Sequence, residues 1–238
     1  MMWYQALAEA GAGISDTAAG DPYTVAASRL PAANSIMMLA AHVSRHRIFT
    51  EWLDPSITDE SQPHLRDAQL NLYDAANPNQ PPYSSDFLEH FAQAQVARNR
   101  RITAWVKEKL AAIRASDSPW REFAFTVHGT MADPRWLDPS IEPSDREAGS
   151  CYLGDPQIVN DGPVGLARFC TLRSWLSQWG YDDARCDAIA SGSRISVPVL
   201  VIGNSADDAC TPSHTQRLYG AVTHEHKHLH VVKGATHY

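Results

Sequence analysis

The sequence has no long apolar run, few cysteines and no excess of positive charge. No stretch approaches the roughly 18 consecutive apolar residues that a membrane span requires, so we expect no membrane partner. The first residues, Met1 to Gln5, also lack the basic and apolar regions of a signal peptide. The four cysteines are widely spaced without a CxxC pair, which indicates reduced thiols and a cytoplasmic location, not a disulfide framework or a zinc site.

Charge and composition limit the class of protein further. The chain carries 20 basic and 27 acidic residues, a formal net charge of −7, and this balance argues against a nucleic-acid partner. Hydrophobic residues make up 44% of the 238 residues, enough to build a sizeable core. One large domain, or a domain with a lid, is the expected organisation.

Periodicity predicts a core that is interrupted by a long insertion. The spacing predicts a helix over residues 2–11 and, over residues 35–41, a strand covered on both faces in a parallel sheet. Residues 43–190 read as a mostly helical insertion, with an irregular start and helices over 85–116 and 163–179. The hexapeptide Trp-Leu-Asp-Pro-Ser-Ile occurs at 52–57 and again at 136–141, and we interpret the two copies as similar turns or as coincidence.

The last segment has the clearest pattern. Residues 197–202 and 227–232 read as buried strands, and a helix from Thr211–Pro212 to about Val222 lies between them. A strand, helix, strand unit of this size predicts parallel strands and an α/β fold. Polar residues follow both strands, at 203–212 and 233–238, and the carboxyl ends of parallel strands are where catalytic groups converge.

These two polar segments resemble the C-terminal end of the α/β-hydrolase family. The shared pattern is a strand, Gly-x-x-x-Asp-Asp-x-x-Thr-Pro, a helix, a strand and Lys-Gly-Ala-Thr-His-Tyr. The resemblance implies a catalytic acid at Asp208, four residues before Pro212; counting from Gly203 instead selects Asp207. The family histidine falls on His237. The resemblance implies that the acid orients the imidazole and that the imidazole transfers protons, with no cofactor.

A second, less specific likeness extends the resemblance over nearly the whole chain. Leu39-Ala40-Ala41-His42, the Trp52 to Ser56 segment and Asp59-Glu60 are similar to one subgroup of these hydrolases that has a long helical lid. The resemblance implies a partial α/β-hydrolase fold, with a mainly parallel sheet and a large helical lid insertion. Its predicted parts are core residues 1–42, the lid at 43–190 and a C-terminal core at 191–238 that carries the acid and the histidine.

The nucleophile of this family is absent from the sequence. No Gly-x-Ser-x-Gly elbow occurs, and Gly203-Asn204-Ser205 lacks the closing glycine. The opening helix resembles the one that follows the elbow, so we expect a fragment whose serine lies before Met1. The expected function is hydrolysis of a carboxylic ester or related acyl bond in a small, apolar substrate. The partner would be an N-terminal half or a second copy of the chain.

Other functions stay open at this point. The chain could be a non-catalytic remnant or binding module, or half of a split enzyme. A metal-binding role for His224, His226, His228 and His230 is the weakest alternative, because no carboxylate or cysteine completes a site. His42 and His128 read as pocket-lining or core residues, and the seven tryptophans as core or as an apolar pocket.

Overall fold

The computed structural model describes all residues, 1–238, and divides them into two compact units. The first unit contains Met1–Arg45, Glu142–Glu147 and Arg185–Tyr238, and the second contains His46–Ile141 and Ala148–Ala184. The chain therefore passes between the units four times. Residues 142–147, which the sequence placed inside the insertion, belong to the first unit.

The first unit is built on a three-stranded parallel sheet. Its elements in chain order are α1 Met2–Glu9, β1 Ile14–Asp16, β2 Pro22–Val25, β3 Ile36–Leu39, and later α7 Ala188–Gly192, β6 Val199–Asn204, α8 Pro212–Ala221 and β7 Lys227–Val232. The strand order is β3-β6-β7, and both pairs are parallel. The predicted α/β character and parallel pairing are confirmed, whereas residues 14–25, read from sequence as a loop, form a short antiparallel hairpin.

One face of this sheet is covered and the other is open. The side chains of Ile36, Met38, Val199 and Val201 pack in one core with residues of α1 and of α8 and its C-terminal end. The residues that these helices contribute include Met2, Ala6, Leu218 and Val222. Met37 and Leu39, on the opposite face of β3, are 58% and 61% exposed. The prediction that residues 35–41 are covered on both faces is therefore wrong: the alternation along β3 is buried, exposed, buried, exposed.

The second unit is dominated by one long helix. It contains α2 Arg45–Trp52, which begins at the unit boundary, α3 Ser85–Ala115, β4 Ala124–Thr126, α4 Pro134–Leu137, α5 Pro156–Asp161, β5 Phe169–Thr171 and α6 Leu172–Gln178. Ser84 caps α3 by accepting the Phe87 N–H. No helix in the structure is long and apolar enough to span a membrane.

The predicted helix over 163–179 is only partly present. Residues 169–171 instead form β5, which pairs antiparallel with β4, and the helix begins at Leu172. Thr171 caps it in a capping box with Ser174, and Ala167 before it has a φ of 56°, outside helical geometry. Proline at 163 therefore marks a turn and not a helix start.

The two copies of Trp-Leu-Asp-Pro-Ser-Ile fold into the same local turn. Asp54 accepts the Ser56 N–H at 3.0 Å and its hydroxyl at 2.6 Å, and Asp138 accepts the same two groups of Ser140 at 3.0 and 2.5 Å. The interpretation as similar turns is confirmed. The two preceding tryptophans, Trp52 and Trp136, are both buried and pack against each other with ring centroids 5.2 Å apart.

Candidate active site

The loops that follow β6 and β7 are joined by hydrogen bonds at the carboxyl edge of the sheet. The Ala206 N–H donates to the Ala235 carbonyl at 3.0 Å, and the Asn204 side-chain amide donates to the Thr236 carbonyl at 2.7 Å. The β6 and β7 strands are adjacent and parallel, so their C-terminal loops emerge side by side. This arrangement brings residues from 204–211 and 233–238 within reach of each other.

Asp207 is the most deeply buried acid of this edge. It is fully buried, and its Oδ1 accepts the backbone N–H groups of Ala209 at 2.9 Å and Cys210 at 2.6 Å. An aspartate that accepts N–H groups two and three residues ahead closes a tight turn with its own side chain. These two donors hold the carboxylate in one orientation and stabilise its charged form inside the protein.

His237 completes a pair with Asp207. Its Nδ1 lies 3.1 Å from Oδ1 and 3.0 Å from Oδ2 of Asp207, so the ring donates an N–H to a carboxylate that accepts it. The His237 side chain is 21% exposed, in contrast to its buried partner. A buried acid that fixes one imidazole nitrogen while the ring stays accessible is the arrangement of a general base with its orienting acid.

The Nδ1 of His237 lies at hydrogen-bond distance from Asp207, the alternative, whereas the spacing to Pro212 selects Asp208 first. Asp208 is half-buried, and burial, together with repulsion from Asp207, raises the pKa of its carboxyl. The physical reason for the difference is the turn: the Ala209 and Cys210 N–H groups fix the Asp207 carboxylate in the interior. Counting residues back from Pro212 cannot detect which of two adjacent side chains the turn selects.

A buried thiol lies beside this pair. One donor atom each of Asp207, Cys210 and His237 lie within 4.8 Å of one another. Burial raises the pKa of the Cys210 thiol to about 12, and the Asp207 charge adds to the shift. A thiol with so high a pKa is a poor nucleophile at neutral pH.

Ser205, the serine nearest in sequence to the acid, has a structural role. Its hydroxyl donates to Asp145 at 2.5 Å and accepts the Gly234 N–H at 2.8 Å, joining the two loops to segment 142–147. Through these two hydrogen bonds, the Ser205 hydroxyl supports the loops of the site. Asp145 could not be predicted from the sequence, because the residues between 141 and 148 carry no recognisable motif.

The other histidines that the sequence singled out differ in burial and in pKa. His42 follows β3, and its pKa is lowered to about 4, first by burial and then by the charges of His214, Arg45 and His237, so it is neutral at pH 7. His128, in the second unit, also has a lowered pKa, mainly through burial. His224 and His226 lie in the turn before β7, as expected, and His228 and His230 lie on exposed positions of that strand.

Comparisons with known proteins give partial matches only. No protein family matches the sequence, and no curated protein matches it significantly. Among solved structures, a monoacylglycerol lipase from Paleococcus ferrophilus is 18% identical with a TM-score of 0.27, over 55% of this chain and 44% of that one. A protein described as a non-heme bromoperoxidase from Mycobacterium tuberculosis H37Rv is 22% identical with a TM-score of 0.22, over 30% of this chain and 25% of that one.

The chain thus spans less than half the length of either matched structure. We therefore base the functional assignment on the geometry of the Asp207 and His237 pair.

Proposed function

We propose that this chain supplies the acid and the base of a serine hydrolase, with Asp207 as the acid and His237 as the base. The observation that carries the proposal is the contact of 3.0 Å between His237 Nδ1 and the fully buried Asp207 carboxylate at the ends of adjacent parallel strands. The reaction is hydrolysis of a carboxylic ester or related acyl bond. In this mechanism the Asp207 contact at Nδ1 orients the ring, and Nε2 accepts the proton of the nucleophile.

Each residue has a distinct task in this mechanism. Asp207 keeps the proton of the neutral ring on Nδ1 and stabilises the imidazolium that forms when Nε2 accepts the serine proton. His237 then returns that proton to the leaving group, which lets the acyl-enzyme form and water attack it in turn. The two backbone donors on Asp207 keep its charge fixed throughout. No cofactor is required.

The serine must come from polypeptide outside these 238 residues. The chain contains no Gly-x-Ser-x-Gly elbow, and β3 is an edge strand that pairs only with β6. Met37 and Leu39 expose apolar surface on the open face beside that edge. The outer edge of β3 has no neighbouring strand, and the apolar face beside it is uncovered. Both features favour a sheet that continues, and a further strand leading to the elbow would fit beside β3.

We propose that the second unit is the lid of the fold. Its buried tryptophans, Trp52, Trp136, Trp175 and Trp179, form its own core, so they support the fold of the lid and give no information on the substrate. A small apolar acyl substrate and a cytoplasmic location complete the proposal, and the four free cysteines agree with that location.

The test is a comparison of this chain with the same chain extended by its upstream reading frame, using a short-chain chromogenic ester. We expect the extended form to contain an elbow serine and to hydrolyse the ester, and His237→Ala to reduce kcat by about 10³-fold or more. Asp207→Asn should cause a large loss and Asp208→Asn a small one. The absence of an elbow upstream, or full activity of His237→Ala, would contradict the proposal.

The second candidate is a non-catalytic binding module, and one observation favours it. Apolar residues on the open sheet face are suited to packing against another polypeptide whether or not that polypeptide carries a serine. If the upstream frame contains no elbow and neither form turns over substrate, this function takes the place of the hydrolase.

A further inference from the structure

Three donor atoms of different chemical kinds converge at the carboxyl edge of the sheet. They are a carboxylate oxygen of Asp207, the thiol sulfur of Cys210 and a ring nitrogen of His237, all within 4.8 Å of one another. Asp207 is fully buried and Cys210 is 3% exposed, so these donors are fixed in the interior and are not a chance group of surface side chains. His237 closes the cluster from the more exposed side.

We propose that Asp207, Cys210 and His237 form a binding site for a divalent transition-metal ion of the Zn²⁺ class. Oxygen, sulfur and nitrogen donors are the set that Zn²⁺ prefers, whereas Mg²⁺ and Ca²⁺ require oxygen ligands throughout. Three protein ligands would leave a fourth, open position in a tetrahedral site. The binding itself does not depend on the proposed hydrolase function, although it uses two of the same residues.

The dimensions require only a small adjustment. In a tetrahedral site with metal–nitrogen and metal–oxygen bonds of about 2.1 Å, the two donor atoms lie about 3.4 Å apart. His237 Nδ1 and Asp207 Oδ2 are 3.0 Å apart, so the ion enters where the Nδ1 proton now lies and the ring moves outward by a few tenths of an ångström. All three donor atoms lie within 4.8 Å of one another, so no pair must approach by more than about 1 Å to reach tetrahedral spacing.

The protons and charges balance on binding. The Cys210 thiol releases its proton to solvent, and His237 binds as the neutral tautomer that carries its proton on Nε2. The ligands then carry the charges of one carboxylate and one thiolate, which the ion neutralises inside the protein. Since the ion occupies Nδ1, it replaces the Asp207–His237 hydrogen bond, so a bound ion and a working acid–base pair exclude each other.

The probe is Co²⁺, titrated into the metal-free full chain and then displaced by Zn²⁺. We expect one equivalent to bind and to produce the near-ultraviolet charge-transfer band of a cobalt–thiolate bond. Cys210→Ser should abolish the band, and His237→Gln should lower the affinity about 10-fold or more while the fold, checked by circular dichroism, is kept. His237→Gln tests the site even if Cys210→Ser does not fold.

Two matched controls separate this site from other donors of the chain. Cys186→Ser removes the exposed cysteine, and the double variant His224→Gln/His226→Gln removes the two histidines whose rings contact each other before β7. Both should bind Co²⁺ as the wild type does. A band that survives Cys210→Ser, an affinity unchanged by His237→Gln, or a band lost in Cys186→Ser would each overturn the site. None of these measurements depends on hydrolytic activity, so failure of the metal site can be distinguished from failure of the hydrolase proposal.

Discussion

At the residue scale, His42 makes the first unit sensitive to acid. Burial, with smaller contributions from the charges of His214, Arg45 and His237, lowers its pKa from 6.5 to about 4. The unfolded chain therefore binds a proton at His42 at a higher pH than the folded chain does. The contribution of neutral His42 to the free energy of unfolding is fully present above pH 6.5. This contribution is lost as the pH falls from 6.5 towards about 4.

We expect His42→Gln to reduce this loss, because glutamine cannot take up a proton in the unfolded state. Urea unfolding at pH 7.5 and at pH 4.5 measures the free energy of unfolding under both conditions. The difference between the two values should be smaller in His42→Gln than in the wild type. The exposed His226 serves as the control, and His226→Gln should leave the difference unchanged. An equal acid loss in wild type and His42→Gln would contradict the assignment.

At this scale the sequence restricts the candidate acid to two adjacent residues, and only the structure shows which of them contacts His237 through Nδ1. The order of strand, acid, helix, strand and histidine is a property of the chain, so spacing restricts the acid to Asp207 or Asp208. Which carboxylate turns inward depends on the backbone donors of Ala209 and Cys210, and those exist only once the turn has formed. The convergence of Cys210 with His237 is likewise a product of the parallel pairing of β6 with β7.

At the element scale, helix α8 is capped by a residue from a distant segment. Thr211 directly precedes the helix, but its side chain accepts no helix N–H. The Glu142 carboxylate instead accepts the Ser213 N–H at 2.8 Å, and also binds the hydroxyls of Ser213 and Thr211 at 2.8 and 3.2 Å. A negative charge at a helix N-terminus is favourable, so Glu142 joins segment 142–147 to the helix that follows the acid.

Glu142→Ala should lower the free energy of unfolding by about 1–2 kcal/mol, because it leaves the Ser213 N–H without its acceptor and removes the charge from the helix terminus. Glu142→Gln keeps an acceptor oxygen and should lose about half as much or less. Urea unfolding monitored by circular dichroism measures both. Glu147→Ala, an exposed change in the same segment, is the matched control and should have little effect. Equal losses for Glu142→Ala and Glu147→Ala would show that the cap contributes nothing.

Elements with strong local signals were predictable, and those held by long-range pairing were not. Helix α3 has a capping serine and apolar residues at helical spacing, and it begins at Ser85 as the predicted helix does. Strands β4 and β5 have three residues each, and their pairing depends on a partner more than forty positions away in sequence. The repeated turns at Asp54 and Asp138 were visible as a motif, but their shared hydrogen bonds needed the structure.

At the scale of the whole molecule, the sheet of the first unit leaves apolar residues of one face exposed. Apolar runs at 36–39 and 199–202 predict buried strands, yet a run alone does not say what covers the second face. In parallel pairing, Met37 lies beside Leu200 and Leu39 beside Ile202, so these four residues share the open face. Both Met37 and Leu39 are more than half exposed, at the edge strand of the sheet.

An open apolar face next to an unpaired edge strand should make the isolated chain associate with itself. We expect sedimentation velocity to show a weight-average mass that rises with protein concentration. The double variant Met37→Glu/Leu39→Glu should suppress this rise, because two carboxylates on the edge strand repel a second copy and oppose its pairing.

Ile158→Glu removes an apolar residue that is 72% exposed in the second unit, and it should associate as the wild type does. A monomer at every concentration, or equal association of both variants, would mean that the open face does not mediate self-association. The continued sheet proposed for the serine would then lose its physical support.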